Sequence, residues 1–228
     1  MKDIAIAATC HGVQVPQSPF LTETRIQRIA AARYEGDEIR GALAVVRPGD
    51  RVIELGAGLG LVGAVTALNR APARILAFEP NPELQEHIRG LYALNGLEHR
   101  LELRQAVVDA GPDRPETRTF HIHASYLGSS LIAPEARRSR PVEVPTQSWA
   151  ALREAEAPTV LLCDIEGGEL DFLRAADLTG LRALVIEFHP GVYGREGMRE
   201  CKRILTRAGF AKHEEVSTRL VWTAIREG

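Results

Sequence analysis

The 228-residue sequence predicts an α/β fold, with a mostly parallel twisted sheet, helices on both faces and a C-terminal antiparallel strand pair. Three observations predict it. Short apolar runs alternate along the chain with segments whose apolar residues recur at helical spacing. The run Val160–Cys163 is apolar throughout, as a strand covered on both faces requires. Residues 52–60, Val-Ile-Glu-Leu-Gly-Ala-Gly-Leu-Gly, carry a strand straight into a glycine-dense turn, and a helical stretch follows at 61–68. Such a turn brings main-chain N–H groups and a positive helix end close to a ligand.

In chain order, residues 4–8 and 12–16 read as a small hairpin, and Thr22–Ala32 as a helix with Ile26 and Ile29 inward. Residues 1–36 form an N-terminal cap, ahead of a main domain at 37–228. Asp37 is placed to cap a helix in which Ile39, Ala42, Leu43 and Val46 follow the i, i+3, i+4, i+7 pattern, stopped by Pro48 and Gly49. After the first strand and its helix comes Arg74–Phe78, which leads through Glu79, Pro80, Asn81 and Pro82 into a helix with Leu84, Ile88 and Leu91 on one face. Asn95 and Gly96, both tolerant of the left-handed conformation, close it. Leu101–Val108 is a third strand and Thr119–His123 a fourth, antiparallel or at an edge.

Residues 109–147, with several prolines, Ser125, Ser129 and Ser130, suit loops over a site. Regularity returns at 159–164. The helix after Gly167 and Gly168 turns Leu170 and Leu173 inward, Leu181–Glu187 is a further strand, and Met198, Cys201, Leu205 and Ala208 mark a helix ended by Gly209. Residues 210–216 and 220–225 finish as the antiparallel pair. Ligands of such a sheet bind at the carboxyl ends of the strands, near the reversal in strand order, where the Gly56–Gly60 turn should lie.

A formal net charge of -2 argues against a general polyanion-binding surface, and Arg137, Arg138 and Arg140 read as a solvated loop. A small molecule is the expected partner, with neither nucleic acid nor membrane. Cys10, Cys163 and Cys201 are odd in number and lack paired spacing, so a reducing, cytoplasmic setting is expected. The N-terminal apolar stretch is too short for a signal peptide, and the apolar window at 52–68 carries Glu54 and several glycines. His121 and His123 alternate along one strand without a carboxylate at ligand spacing, so no metal ligand is assigned, and His11 and His87 read as surface residues.

Two cofactors compete for the turn. Gly58, Gly60 and Gly63 satisfy GxGxxG, and Glu79 lies about 20 residues on, where a dinucleotide's ribose acid belongs. That register leaves Gly56 and Ala57 unexplained. Starting at Glu54 instead accounts for Gly56, Gly58 and Gly60 together, and this form resembles motif I of class I methyltransferases that bind S-adenosylmethionine (SAM). Downstream, Asp164-Ile-Glu166-Gly-Gly-Glu169 and Glu187-Phe-His189-Pro190 resemble the D-x-E-G-x-E and E-x-H segments of the FkbM family of SAM-dependent methyltransferases. The resemblance runs from Tyr34 and Glu35 to Glu187 and includes Asn81, Asn95 and the 128–131 segment. Motif I departs from the commoner family form, which has Asp and Asn where this chain has Glu54 and Gly58.

The resemblance implies a Rossmann-like class I methyltransferase fold and transfer of methyl from SAM, often to hydroxyls of natural products or sugars. In that frame Glu54, Gly56, Gly58, Gly60, Glu79, Pro80, Asn81, Ala106, Val107 and Asp164 are the expected cofactor residues. Glu79 takes both ribose hydroxyls, Ala106 and Val107 flank the adenine, and Asp164 faces the methionine amino group. Glu166 is expected to orient substrate or hold its turn, and His189, as a near-neutral imidazole, to accept a hydroxyl proton. A nicotinamide-dependent oxidoreductase using GxGxxG and a SAM-binding module without turnover are the competing readings.

Overall fold

A computed structural model describes residues 4–123, 129, 131 and 139–226. Met1, Lys2 and Asp3, together with Ser125, Gly128, Ser130, Arg137 and Arg138, lie outside the described residues. The chain opens with β1 (Ile6–Cys10) and β2 (Val13–Pro16), the antiparallel hairpin expected, followed by α1 (Glu23–Ala30). Thr22 caps α1 by accepting from the Arg25 N–H. Ile29 is buried and Ile26 packs on the same cluster.

The next helix, α2 (Gly36–Val45), departs from expectation at its start. Its N-cap is Glu35, left-handed at φ 50 and without a side-chain cap, while Asp37 sits inside the first turn bonded to Arg40. Then come β3 (Arg51–Leu55), α3 (Leu61–Arg70), β4 (Arg74–Phe78) and α4 (Gln85–Leu94). Of the two residues expected to be left-handed after α4, Gly96 is so and Asn95 is not. Asn95 instead spends its side chain on the hairpin: its Oδ1 accepts from the Gln14 N–H at 2.8 Å and its Nδ2 donates to the Gln14 carbonyl at 2.8 Å.

The expected third strand is two strands, because the chain leaves the sheet at Gln105 and Ala106. β5 (Leu101–Arg104) completes the large sheet, and β6 (Val107–Asp109) joins β7 (Thr117–His123) and β8 (Ser139–Ser148) in a separate three-stranded sheet of order β6-β8-β7. The last part of the stretch read as loop, from Ser139 on, is therefore β8. The chain continues through α5 (Trp149–Glu156), β9 (Val160–Cys163), α6 (Glu169–Ala175), β10 (Ala183–Glu187), α7 (Pro190–Arg207), β11 (Phe210–Lys212) and β12 (Val221–Arg226). α7 starts a full two turns before Met198 and carries a break at Gly194.

The large sheet has the order β11-β12-β10-β9-β3-β4-β5. β5, β4, β3, β9 and β10 run parallel, and β12 pairs antiparallel with β10 and β11. Alternate side chains feed two cores. Val52, Ile75, Leu162 and Val185 pack against α2, α3, α4 and the N-terminal hairpin, whereas Ile53, Leu76, Leu161 and Leu184 pack against α5, α6 and α7. No described helix is long and apolar enough to cross a membrane.

Candidate active site

Strand register builds the site. Leu55 stands level with Phe78 on one side and Cys163 on the other, and Cys163 is level with Ile186. The residues one step beyond, Glu79, Gly56, Asp164 and Glu187, therefore emerge side by side at the carboxyl ends of β4, β3, β9 and β10. The order of strands reverses between β3 and β9, and an open cleft of about 1430 Å³ lies there.

Gly56, Gly58, Glu79, Pro80, Asn81, Ala106, Val107, Asp164 and Glu166 all line this cleft. Gly56 has φ 81, and a methyl group at its Cα would collide with the carbonyl oxygen of Asp164. The turn and the end of β9 are thus in backbone contact. Glu79 is fixed from both sides: Oε2 accepts the Gly58 N–H and Oε1 the Asn81 N–H, each at 2.8 Å. Both carboxyl oxygens keep a second acceptor site.

Glu54 and Gly60, expected as cofactor contacts, stand behind the cleft wall. Glu54 is buried and bonds the Gly63 N–H, with no space on Gly63 for a side chain. It supports the turn from below. Gly60 packs on α4, where a Cβ would lie 2.7 Å from Ile88 Cγ2. Burial pushes the Glu54 carboxyl up to about 8 against the opposing Gly63 bond. Burial likewise pushes Glu79 up to about 7, although the Asn81 and Gly58 N–H groups hold it down.

Both groups bind more protons folded than unfolded, so their stabilisation is complete below the ordinary carboxyl range and is lost as pH rises through 7 and 8. The ligand-free protein is expected to lose a few kcal/mol between pH 6 and pH 9. Urea titrations at a series of pH values test this, with Glu54→Gln flattening the profile. A midpoint that holds steady or climbs over that range contradicts it.

His189 caps α7 just past β10, and three carboxyl groups surround it. Glu169, fully buried, puts Oε1 3.1 Å from Nδ1 while also accepting the Ile165 and Gly167 N–H groups at 3.2 and 3.0 Å. Because Oε1 is an acceptor throughout, Nδ1 carries a hydrogen. Nε2 faces Glu166 Oε2 at 3.3 Å and Asp164 Oδ1 at 3.7 Å. Burial lowers this imidazole, but the Glu169 bond and the charges of Glu169, Asp164 and Glu166 outweigh it and hold His189 at about 9. The imidazole expected from sequence to be near-neutral is thus held above its ordinary range by its carboxyl neighbours.

Glu35, Glu38, Glu169 and Glu187 are site residues to which the sequence reading gave no role. Glu35 and Glu166 are both left-handed, at φ 50 and φ 52, and both line the cleft. A side chain held in that sparsely populated region marks a position the surrounding structure over-determines. Burial and the neighbouring Asp164, Glu38 and Glu54 push the Glu35 carboxyl well above the usual range. Glu187 hydrogen-bonds Glu38, and burial with that neighbour's charge raises it to about 7. Elsewhere, His87 is buried rather than on the surface, its imidazole lowered to about 4 by burial with its ring edge-on to Phe20. His121 and His123 lie on the face of β7 opposite the small core of Phe120 and Ile122, remote in chain position from the acidic row.

Two solved structures share the architecture. The precorrin-6y C5,15-methyltransferase of Geobacter metallireducens GS-15 is 14% identical with a TM-score of 0.51, over 85% of this chain and 88% of that one. P. horikoshii TYW2 in complex with MeSAdo is also 14% identical at a TM-score of 0.51, over 99% of this chain and 70% of that one. The fold is that of the Rossmann-like methyltransferases. The sequence profile of the methyltransferase FkbM domain matches residues 61–212, and the chain belongs to that family of methyltransferases. No curated protein matches it.

Proposed function

We propose that the protein transfers a methyl group from SAM to a hydroxyl of a small molecule or sugar. Glu79 carries this reading: a carboxyl whose two oxygens are aimed by the Gly58 and Asn81 N–H groups, at the strand-order reversal and on the wall of an open cleft. A vicinal diol such as a ribose edge matches that pair of acceptors. The cradle fits the cofactor in another respect too, since Gly56 and Gly58 leave main chain bare on the cleft wall.

SAM supplies a methyl group already activated on a sulfonium, which an oxygen nucleophile displaces in line. The chain's part is to place the two reactants and to manage one proton. Glu79 holds the ribose, Pro80 and Asn81 bound the same subsite, Ala106 and Val107 flank the adenine, and Asp164 faces the methionine ammonium. The acceptor enters beside Glu166 and His189. While Nε2 keeps its proton the imidazole has no lone pair to offer, so in that state Glu166 receives the hydroxyl proton and His189 holds Glu166 in position.

Calorimetry with S-adenosylhomocysteine tests the cofactor assignment. Glu79→Gln is expected to weaken binding about 10- to 100-fold, the loss of one or two hydrogen bonds to a charged group. Equal affinity in a folded variant, or binding of NADH in place of S-adenosylhomocysteine, sinks the reading. Mass spectrometry for a methyl gain on candidate hydroxyl compounds then separates an enzyme from a SAM-binding module.

A further inference from the structure

We propose that Asp164, Glu166 and His189 together form a divalent-cation site on the cleft wall, and that the ion holds two neighbouring oxygens of the methyl acceptor. Although the sequence reading assigned no metal, folding brings one ligand atom from each residue within 4.8 Å of the others. The sequence hides this because the β9–β10 pairing, not chain spacing, brings His189 to the Asp164–Glu166 turn.

The separations suit one ion. Two donors each ~2.1 Å from a metal, at ordinary bond angles, stand ~3 to 3.6 Å apart; Nε2 to Glu166 Oε2 at 3.3 Å falls inside that range, Nε2 to Asp164 Oδ1 at 3.7 Å lies just beyond it, and every pair is within 4.8 Å, so a small side-chain adjustment closes the set on one ion. A separate observation points to a missing partner: Asp164 Oδ1 is shielded from solvent and accepts no hydrogen bond. Leaving a buried carboxyl oxygen unsatisfied costs free energy that a bound cation would offset.

Histidine orientation agrees as well. Glu169 Oε1, anchored by two main-chain N–H groups, fixes the hydrogen on Nδ1 and turns Nε2 toward the two carboxyls, where the ion takes the place of the Nε2 proton. A carboxyl group behind the distal ring nitrogen is how metal-bound histidines are usually held. The donor set of two carboxyl oxygens and one imidazole nitrogen, without thiolate, selects hard to borderline ions such as Mn²⁺, Mg²⁺ or Zn²⁺.

Three protein donors leave coordination positions free, and Asp164 and Glu166 both line the cleft. An acceptor with two adjacent oxygens, a vicinal diol or a hydroxyl beside a carbonyl, fills two of them; with the ion bound Glu166 is a ligand rather than the base, the ion lowers the hydroxyl's pKa, and the proton passes to water. This acceptor class rests on the methyltransferase reading above, whereas the cation site does not.

Mn²⁺ is the probe. Electron paramagnetic resonance of the full chain titrated with Mn²⁺ is expected to show one site, weakened at least tenfold in Asp164→Asn, Glu166→Gln and His189→Gln. Glu166 is partly exposed and gives the variant best able to fold, which circular dichroism confirms independently. Glu79→Gln is expected to retain Mn²⁺ affinity while losing S-adenosylhomocysteine affinity, which keeps the two readings apart. Absence of binding in the wild type, or wild-type affinity in folded Glu166→Gln, overturns the cation site.

Discussion

Gly56→Ala is expected to destabilise the protein by about 3 to 5 kcal/mol and to abolish S-adenosylhomocysteine binding. Two costs add at that position. A non-glycine residue forced to a φ of 81 is strained by about 1 to 3 kcal/mol, and the new methyl group overlaps the Asp164 carbonyl oxygen. Relief of such an overlap in a packed interior costs about 1 to 3 kcal/mol more. The only ways to make room are to lift the turn off Phe78, whose carbonyl accepts both the Gly56 and Ala57 N–H groups, or to push β9 away from β3. Either movement separates Glu79 from Asp164 and opens the cradle. Gly90→Ala is the matched control: it lies within α4 with nothing within 4 Å of a new Cβ. Alanine there is expected to stabilise by about 0.5 to 1 kcal/mol. Denaturant melts of both variants decide the matter, and a Gly56→Ala protein that melts with the wild type removes the close approach from the account.

The parallel sheet was legible in the sequence because its strands are buried on both faces, and burial on both faces writes uninterrupted apolar runs such as 160–163. The small sheet was not. β8 contains Pro141 and Pro145, which argue against a strand paired on both sides. The structure resolves the conflict: these prolines pair only with β7, at His121 and Thr117, while β6 reaches only Thr146 to Ser148. α5 was missed for a different reason. At eight residues it has just two buried positions, Trp149 and Leu152, too few to establish a period.

Within the site, each motif was visible and their juxtaposition was not. Gly56, Glu79 and Asp164 follow directly on strand ends, and a strand end is what sequence reads well. Glu35 has no periodic neighbour to announce it, since its place on the cleft wall comes from the left-handed turn into α2. The role of His189 depended on charges contributed by residues 20 or more positions away, so an imidazole that looked near-neutral in isolation is held above that range in company. Glu54 differs from its expected place in the opposite direction: the same strand end that displays Gly56 to the cleft turns the Glu54 carboxyl beneath α3, against Gly63.

Glu169→Ala is expected to cost about 3 to 5 kcal/mol, because one buried carboxyl oxygen serves three partners. Its loss leaves the Ile165 and Gly167 N–H groups without their acceptor in the tight turn that carries Glu166, and frees Nδ1 of His189. Each buried donor left unpaired costs about 1 to 3 kcal/mol. Glu169→Gln separates the two consequences. Its amide oxygen still accepts from both main-chain groups, so the Asp164-to-Gly168 turn is expected to survive with most of its stability, while the neutral amide holds the imidazole hydrogen more weakly. Nitrogen NMR of the His189 ring reports that change directly. The wild type should show Nδ1 protonated throughout, and Glu169→Ala should show exchange between ring tautomers at high pH. A ring spectrum identical in all three proteins would mean that Glu169 merely fills space and that His189 is oriented by something else.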